Sequence, residues 1–319
     1  MTQLTAIVKR VKPETPDVKS FELVAVDGGS LPAFTPGSHI DLHIADDLVR
    51  QYSLCNGPDD RDRYLIAVKN ESESRGGSRA MHERVREGTP MTISAPRNNF
   101  PLVAGARHHL LLAGGIGITP ILSMARHLFA ATASFELQYF SRSIEYTAFH
   151  DVLSAPEFKG KVVFHYALEP DAVRAYLRRL LWKRPEGGHL YLCGPRPFMD
   201  LIETVAAPTW PPEAVHLEYF TADPAALAGP RDTFKVRLAR SGGEYVIPAD
   251  KSIVEALAEQ GVIIDTSCEQ GVCGTCLTGV LDGVPDHRDV FLTDDEKKAG
   301  DKVMPCVSRA CSDILTLDL

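Results

Sequence analysis

The chain has 319 residues, with 34 Lys and Arg against 42 Asp and Glu and a formal net charge of −8. That charge disfavours a nucleic-acid partner. The length predicts two or three domains, and a hydrophobic fraction of 44% is enough to bury their cores. No apolar run approaches the ~20 residues of a membrane helix. The first ten residues lack a signal-peptide pattern. Seven cysteines with no secreted disulfide framework read as those of a cytoplasmic protein.

In chain order, residues 1–102 hold strand candidates broken by Pro, Gly and Asp clusters: T-A-I-V-K-R-V, V-K-S-F-E-L-V-A-V, H-I-D-L-H-I, Y-L-I-A-V-K and M-T-I-S. Their period-two alternation predicts an antiparallel β-barrel. Residues 103–224 change character. H-L-L-L-A is a continuous apolar run, as for a parallel strand buried on both faces. The helix-like I-L-S-M-A-R-H-L-F-A follows, then F-E-L-Q-Y-F, V-V-F-H-Y-A and H-L-Y-L-C-G, which is the alternation of a doubly wound α/β domain. A-D-P-A-A-L-A-G-P-R-D reads as a linker. Residues 225–319 then supply strands F-K-V-R-L and E-Y-V-I-P, a helix over Ser252–Gln260 and a cysteine-bearing loop, predicting an α+β, β-grasp-like third domain.

In the second region, Gly114, Gly115 and Gly117 directly follow the buried strand and precede the helix. Glycines there let backbone N–H groups approach a pyrophosphate at the positive helix terminus. Cys193, Gly194 and Pro195 repeat the strand–turn–helix arrangement, so both turns should face one crevice, phosphates at the first and nicotinamide near the second. A third turn carries Ser141, Arg142 and Ser143. Arg142 could pair with a 2′-phosphate, which points to NADPH, or be an ordinary exposed loop arginine.

Near the C-terminus, C-E-Q-G-V-C-G-T-C places Cys268, Cys273 and Cys276 in a Cys-x4-Cys-x2-Cys run, and Cys306 follows after 29 intervening residues. This is the plant-type spacing of a [2Fe–2S] cluster. Gly271 and Gly274 permit positive φ, so that backbone N–H groups can point at the sulfurs. Structural zinc would ask for a second close pair, which neither Cys306 nor the histidines provide. Arg231–Leu319 holds 16 acidic and 10 basic residues. That acidity could steer a basic partner or simply confer solubility.

The barrel region contains R-Q-Y-S, Arg50 to Ser53, followed by R-G-G-S-R, Arg75 to Arg79. Together they offer a guanidinium, an aromatic face, a hydroxyl and a backbone N–H nest. With A-P-R-N-N-F-P-L, G-G-I-G-I-T-P, L-C-G-P-R-P-F-M and H-L-E-Y-F, the whole chain resembles the phthalate dioxygenase reductase type of the ferredoxin-reductase superfamily, vanillate demethylase reductases included. The resemblance implies FMN, NADH and a [2Fe–2S] cluster, in the order flavin barrel, NADH domain, ferredoxin. It implies that Arg50 and Gln51 lie at the flavin, Tyr52 against its ring and Ser53 near its N5. Gly76, Gly77, Ser78 and Arg79 match the phosphate loop, and Val68, Lys69 and Asn70 the strand edge beside the flavin. Thr119 would reach the flavin from the nucleotide domain, and Phe220 would cover the ring. Cys193 would lie near the nicotinamide, its alternative being a small buried filler. The family's NADH preference weighs against the Arg142 reading. The implied partner is a separate Rieske-type oxygenase; another acceptor, such as a cytochrome P450, is the alternative, and a non-catalytic iron–sulfur sensor would not need Arg50, Tyr52 and Ser53. Hydride transfer requires proximity rather than a general acid or base, so none is expected.

Overall fold

Alternating side chains build the first sheet of this computed structural model, which describes residues 3–45, 48–72, 76–222, 224–229 and 232–319. Its strands are β1 (Gln3–Pro13), β2 (Val18–Ala25), β3 (Ser38–Ala45), β4 (Leu48–Ser53), β5 (Tyr64–Lys69) and, after helix α1 (Gly77–Arg84), β6 (Pro90–Ser94). They pair antiparallel in the order β4-β3-β6-β1-β2-β5, and β7 (Arg97–Asn98) adds to β3. Inward residues such as Val8, Phe21, Leu23, Ile40, Leu42 and Ile66 are fully buried, which is why the period-two pattern was visible in the sequence. The sheet curls into a nearly closed barrel, and Cys55, just beyond β4, donates its amide to the carbonyl of Leu65 in β5 at 2.7 Å.

A parallel sheet follows in the same compact unit, Met1–Glu218. Its elements are β8 (His108–Gly114), α2 (Ile118–Ala130), β9 (Phe135–Ser141), α3 (His150–Leu153), β10 (Val162–Tyr166), α4 (Pro170–Leu180), β11 (Gly188–Cys193), α5 (Arg196–Ala206) and β12 (Val215–Glu218). The order β10-β9-β8-β11-β12 is doubly wound, and its direction reverses between β8 and β11. Leu110 to Ala113 are buried on both faces. A ligand crevice therefore opens at the C-terminal ends of β8 and β11.

The second compact unit is Tyr219–Leu319. The stretch read as a linker contains a short helix, α6 (Pro224–Leu227). The unit's strands are β13 (Phe234–Leu238), β14 (Glu244–Ile247), β15 (Thr278–Asp282), β16 (Pro285–Asp286), β17 (Lys302–Val303), β18 (Arg309–Ala310) and β19 (Ile314–Leu317). The mixed sheet β14-β13-β19-β15-β17 has β13 and β19 parallel, and β16 pairs with β18. Helix α7 (Ile253–Ala258) starts at a capping box in which Ser252 and Glu255 satisfy each other's amides. It buries Ile253, Ala256 and Leu257 in the sheet's core. Helix α8 (Asp294–Ala299) uses the same device at Thr293 and Glu296. No helix among the described residues is long and apolar enough to cross a membrane.

Candidate functional site

Strand β4 splits its residues by parity. Arg50 and Tyr52 share one face, opposite Leu42 and Ile40 of β3; Gln51 and Ser53 share the other, opposite Asp41 and His39. Arg50 lies against the start of α1: a Cβ on Gly77 would fall 2.6 Å from Arg50 Cγ. Gly76 adopts φ 92, the left-handed region. A guanidinium, a glycine turn and a helix N-terminus thus meet where a phosphate can be held. Ser78 accepts the Glu71 amide at 3.2 Å, and Arg79 is exposed. Arg75 lies outside the described residues. Burial raises the Tyr52 phenol well above its ordinary value. Gln51 turns away from this face, its amide 3.4 Å from Asp41. On β5, His82 Nε2 lies 2.8 Å from the buried Val68 carbonyl and Lys69 pairs with Glu71 at 2.8 Å. The Asn70 amide donates to Asp17 O at 2.7 Å.

The two turns of the parallel sheet touch. A Cβ on Gly117 would fall 2.1 Å from the Cys193 carbonyl oxygen, and one on Gly114 or on Gly194 would strike the Phe198 ring at 2.9 Å. Pro195 precedes α5 and lies against Gly114. Gly115 has φ 53 and open space around it, the room a pyrophosphate needs. Thr119 is buried at the start of α2, its hydroxyl donating to Ile116 O at 3.1 Å. In the third turn, Ser141 Oγ is 2.7 Å from Thr147 Oγ1 and donates to Ser143 O. Arg142 pairs with Asp17 at 3.0 Å and stacks 3.4 Å from the Tyr146 ring centre. Its charge is met within the chain, which weakens the 2′-phosphate reading.

One residue brings the barrel and the crevice together, and the sequence reasoning did not select it. Ser53 Oγ donates to Glu218 Oε2 at 3.2 Å. Glu218 ends β12, directly beside Cys193 at the end of β11. Burial lifts the Glu218 carboxyl to about 8, against the opposing pull of the Ser53 hydroxyl. Cys193 is fully buried, and burial, helped by the Glu218 charge, holds its thiol well above the ordinary value. The only sequence signal for Glu218 was its place inside H-L-E-Y-F. His39, opposite Ser53 on the same face, is 1% exposed, and neither of its ring nitrogens has a hydrogen-bond partner among the described residues. Burial, then Arg97, lowers its pKa to about 4. An orphaned polar ring beside the serine fits a site completed by a bound group. Phe220 belongs to the second unit and is 40% exposed.

In the second unit the cysteine loop has the predicted glycine conformations, with φ 67 at Gly271 and 77 at Gly274. Both are also closely packed: a Cβ at Gly274 would fall 2.3 Å from the Phe291 ring. Backbone amides point at sulfur, Gln270 N to Cys268 at 3.3 Å and Thr275 N to Cys273 at 3.5 Å. The sulfurs group in two pairs. A hydrogen bond from Cys268 lowers the Cys273 thiol to about 6, and one from Cys306 lowers Cys276. Among the described residues, no three His, Cys, Asp or Glu side chains gather around one ion position. Two thiol pairs, the first of them met by backbone amide donors, offer the four sulfurs that two bridged irons need.

The 2Fe-2S iron-sulfur cluster binding domain family matches residues 236–311. The vanillate O-demethylase oxidoreductase of Pseudomonas putida is 46% identical over 318 residues, 99% of this chain and 100% of its own length. The phthalate dioxygenase reductase of Burkholderia cepacia is 43% identical over 305 residues, covering 95% of this chain and 93% of its own. A solved phthalate dioxygenase reductase structure, titled as modular for electron transfer from pyridine nucleotides to [2Fe-2S], superposes with a TM-score of 0.79 at 41% identity, over 99% of this chain and 98% of that one. Barrel, parallel sheet and cysteine loop agree with these likenesses along the whole length, and the chain belongs to the phthalate dioxygenase reductase family, iron–sulfur flavoprotein oxidoreductases that carry electrons from NADH through FMN and a [2Fe–2S] cluster in oxygenase and demethylase systems.

Proposed function

We propose that this protein passes electrons from NADH to a separate Rieske-type oxygenase or demethylase in the cytoplasm, with residues 1–102 binding FMN, 103–224 binding NADH and 225–319 holding the cluster. The observation that carries the reading is the Ser53–Glu218 hydrogen bond, which sets the Arg50–Ser53 strand of the barrel against the crevice of the parallel sheet. Relatives matched nearly end to end are named for vanillate demethylase and phthalate dioxygenase systems, which favours that acceptor over a cytochrome P450.

Bound flavin supplies the conversion of a two-electron hydride into single electrons, and bound cluster their onward transfer. The chain's own residues supply position. Arg50, Gly76, Gly77, Ser78 and Arg79 hold the flavin phosphate, and Tyr52 orients the ring. Val68, Lys69 and Asn70 edge it, with Gln51 bracing the strand through Asp41. Gly114, Gly115 and Gly117 admit the dinucleotide phosphates, with Ser141, Arg142, Gly194 and Pro195 shaping the crevice around them. Thr119 fixes the first turn of α2. Buried Cys193 excludes water where the nicotinamide lies. Ser53 positions Glu218 beside Cys193 at the reacting edge, where burial favours the neutral carboxyl. Cys268, Cys273, Cys276 and Cys306 hold the cluster.

The test is NADH addition to the purified protein without oxygen. Flavin absorbance should bleach and cluster absorbance fall together, and faster with NADH than with NADPH. No response to NADH overturns the reading.

A further inference from the structure

A cavity of about 130 Å³ lies on the outer face of the barrel where β1, β2 and β5 meet α2 and α3. None of the residues assigned above to flavin, dinucleotide or cluster lines it. Its chemistry begins with a β-bulge. The β1–β2 register slips between Val8, opposite Leu23, and Arg10, opposite Glu22. Val8 points into the barrel core; without the slip Arg10 would share that face. The bulge instead turns Arg10 and Lys12 outward into the cavity.

Four cations and two carboxylates line the space. Glu14 is met by Lys12 at 3.1 Å, and Glu22 by Arg63 at 2.7 Å. Arg63 also holds Asp60 at 2.7 Å. Two guanidiniums remain. Arg10 on β1 and Arg126 on α2 have no hydrogen-bond or ion-pair partner among the described residues. Arg126 is half-buried, and the loss of solvent lowers its pKa, an effect that the charges of Asp60 and Glu157 do not offset. A desolvated guanidinium without a partner is costly unless an anion supplies one. The remaining wall is apolar: Leu65, Phe149 and Val152. Phe149 sits at φ 60, a left-handed conformation that a bulky residue rarely adopts, and is 3% exposed.

We propose that this cavity binds a small organic carboxylate, its anionic head between Arg10 and Arg126 and a body about the size of one ring against Leu65, Phe149 and Val152. The proposal is independent of the redox reading.

Calorimetric titration of the intact, cofactor-loaded protein tests it with three probes. Benzoate has charge and ring, benzamide the ring alone, and inorganic phosphate the charge alone. Benzoate should bind at least about tenfold more tightly than either, since a charge-assisted hydrogen bond to Arg carries that difference. Arg10→Gln and Arg126→Gln should each weaken benzoate by about tenfold or more. Flavin and cluster spectra report whether the variants fold, and exposed Arg10 leaves a usable variant if Arg126→Gln does not. Val152→Phe should block benzoate by filling the space. Absent benzoate binding, equal binding of benzamide, or wild-type affinity in Arg10→Gln and Val152→Phe overturns the site. Phosphate binding as tightly as benzoate overturns the organic-acid assignment.

Discussion

Burial of a single carboxyl, Glu218, makes stability depend on pH where barrel and parallel sheet meet. Its folded value of about 8 stands above the ordinary 4.5 because burial disfavours the charge. Between those values the folded state binds more protons than the unfolded state. The resulting stability is full at low pH and declines as pH rises from about 4.5 through 8. Glu218→Gln, neutral throughout, should flatten this part of the Tm–pH curve and raise Tm at pH 8 and above relative to the wild type. It should also remove an ionisation near pH 8 from the rate of electron delivery. Ser53→Ala works in the opposite sense on the same group. It deletes the donor that favours the carboxylate, so the ionisation should move upward in pH. A stopped-flow pH profile for both variants checks the pair; unchanged profiles remove Glu218 from the site. Beyond its place inside H-L-E-Y-F, nothing local announced this residue, because the hydroxyl it pairs with lies 165 positions earlier. The carboxylate partner of Arg142, Asp17, is likewise remote in the chain, 125 positions away.

At the scale of elements, what the sequence made legible is what chain spacing itself constrains. Three cysteines on one loop must be closely spaced to bind one cluster, and Gly271 and Gly274 take the positive φ that such wrapping demands. The buried strand β8 is an apolar run because neither of its faces meets solvent. Short α6 was hidden in Ala- and Pro-rich sequence that propensity reads as linker, and the β1 bulge leaves no mark in composition. Gly117 shows a different limit. Its φ of −61 is ordinary, so conformation does not require glycine there; only the Cys193 carbonyl, at 2.1 Å from a would-be Cβ, does. Gly117→Ala should therefore push the two turns apart, at a cost of about 1–3 kcal/mol or more. The NADH KM should rise and flavin reduction slow, while the cluster spectrum of the second unit stays unchanged. Gly115→Ala, with space but φ 53, should cost only about 1–2 kcal/mol of strain. Equal effects of the two substitutions would show that close packing of the turns is not what matters.

Across the whole molecule, charge is unevenly placed. The net charge is −8, and Arg231–Leu319 alone contributes 16 acidic against 10 basic residues. Asp265 and Glu269, flanking Cys268, are exposed, as are Asp294 and Asp295 at the start of α8. A negative field around the electron exit accelerates encounter with a basic acceptor, and salt screens it over a Debye length of about 10 Å at 0.1 M. Reduction of cytochrome c, a basic acceptor, should therefore fall by about tenfold or more as ionic strength rises from about 0.01 to 0.3 M. Ferricyanide, an anion, should respond in the opposite direction. NADH-dependent flavin bleaching happens before the electron leaves the protein and should depend much less on salt. Replacing Asp265 and Glu269 by Asn and Gln should flatten the cytochrome c response while leaving flavin bleaching as it was. A salt response that survives those replacements would move the docking field away from the cluster loop, and a flat response in the unaltered protein would leave the acidity to solubility alone.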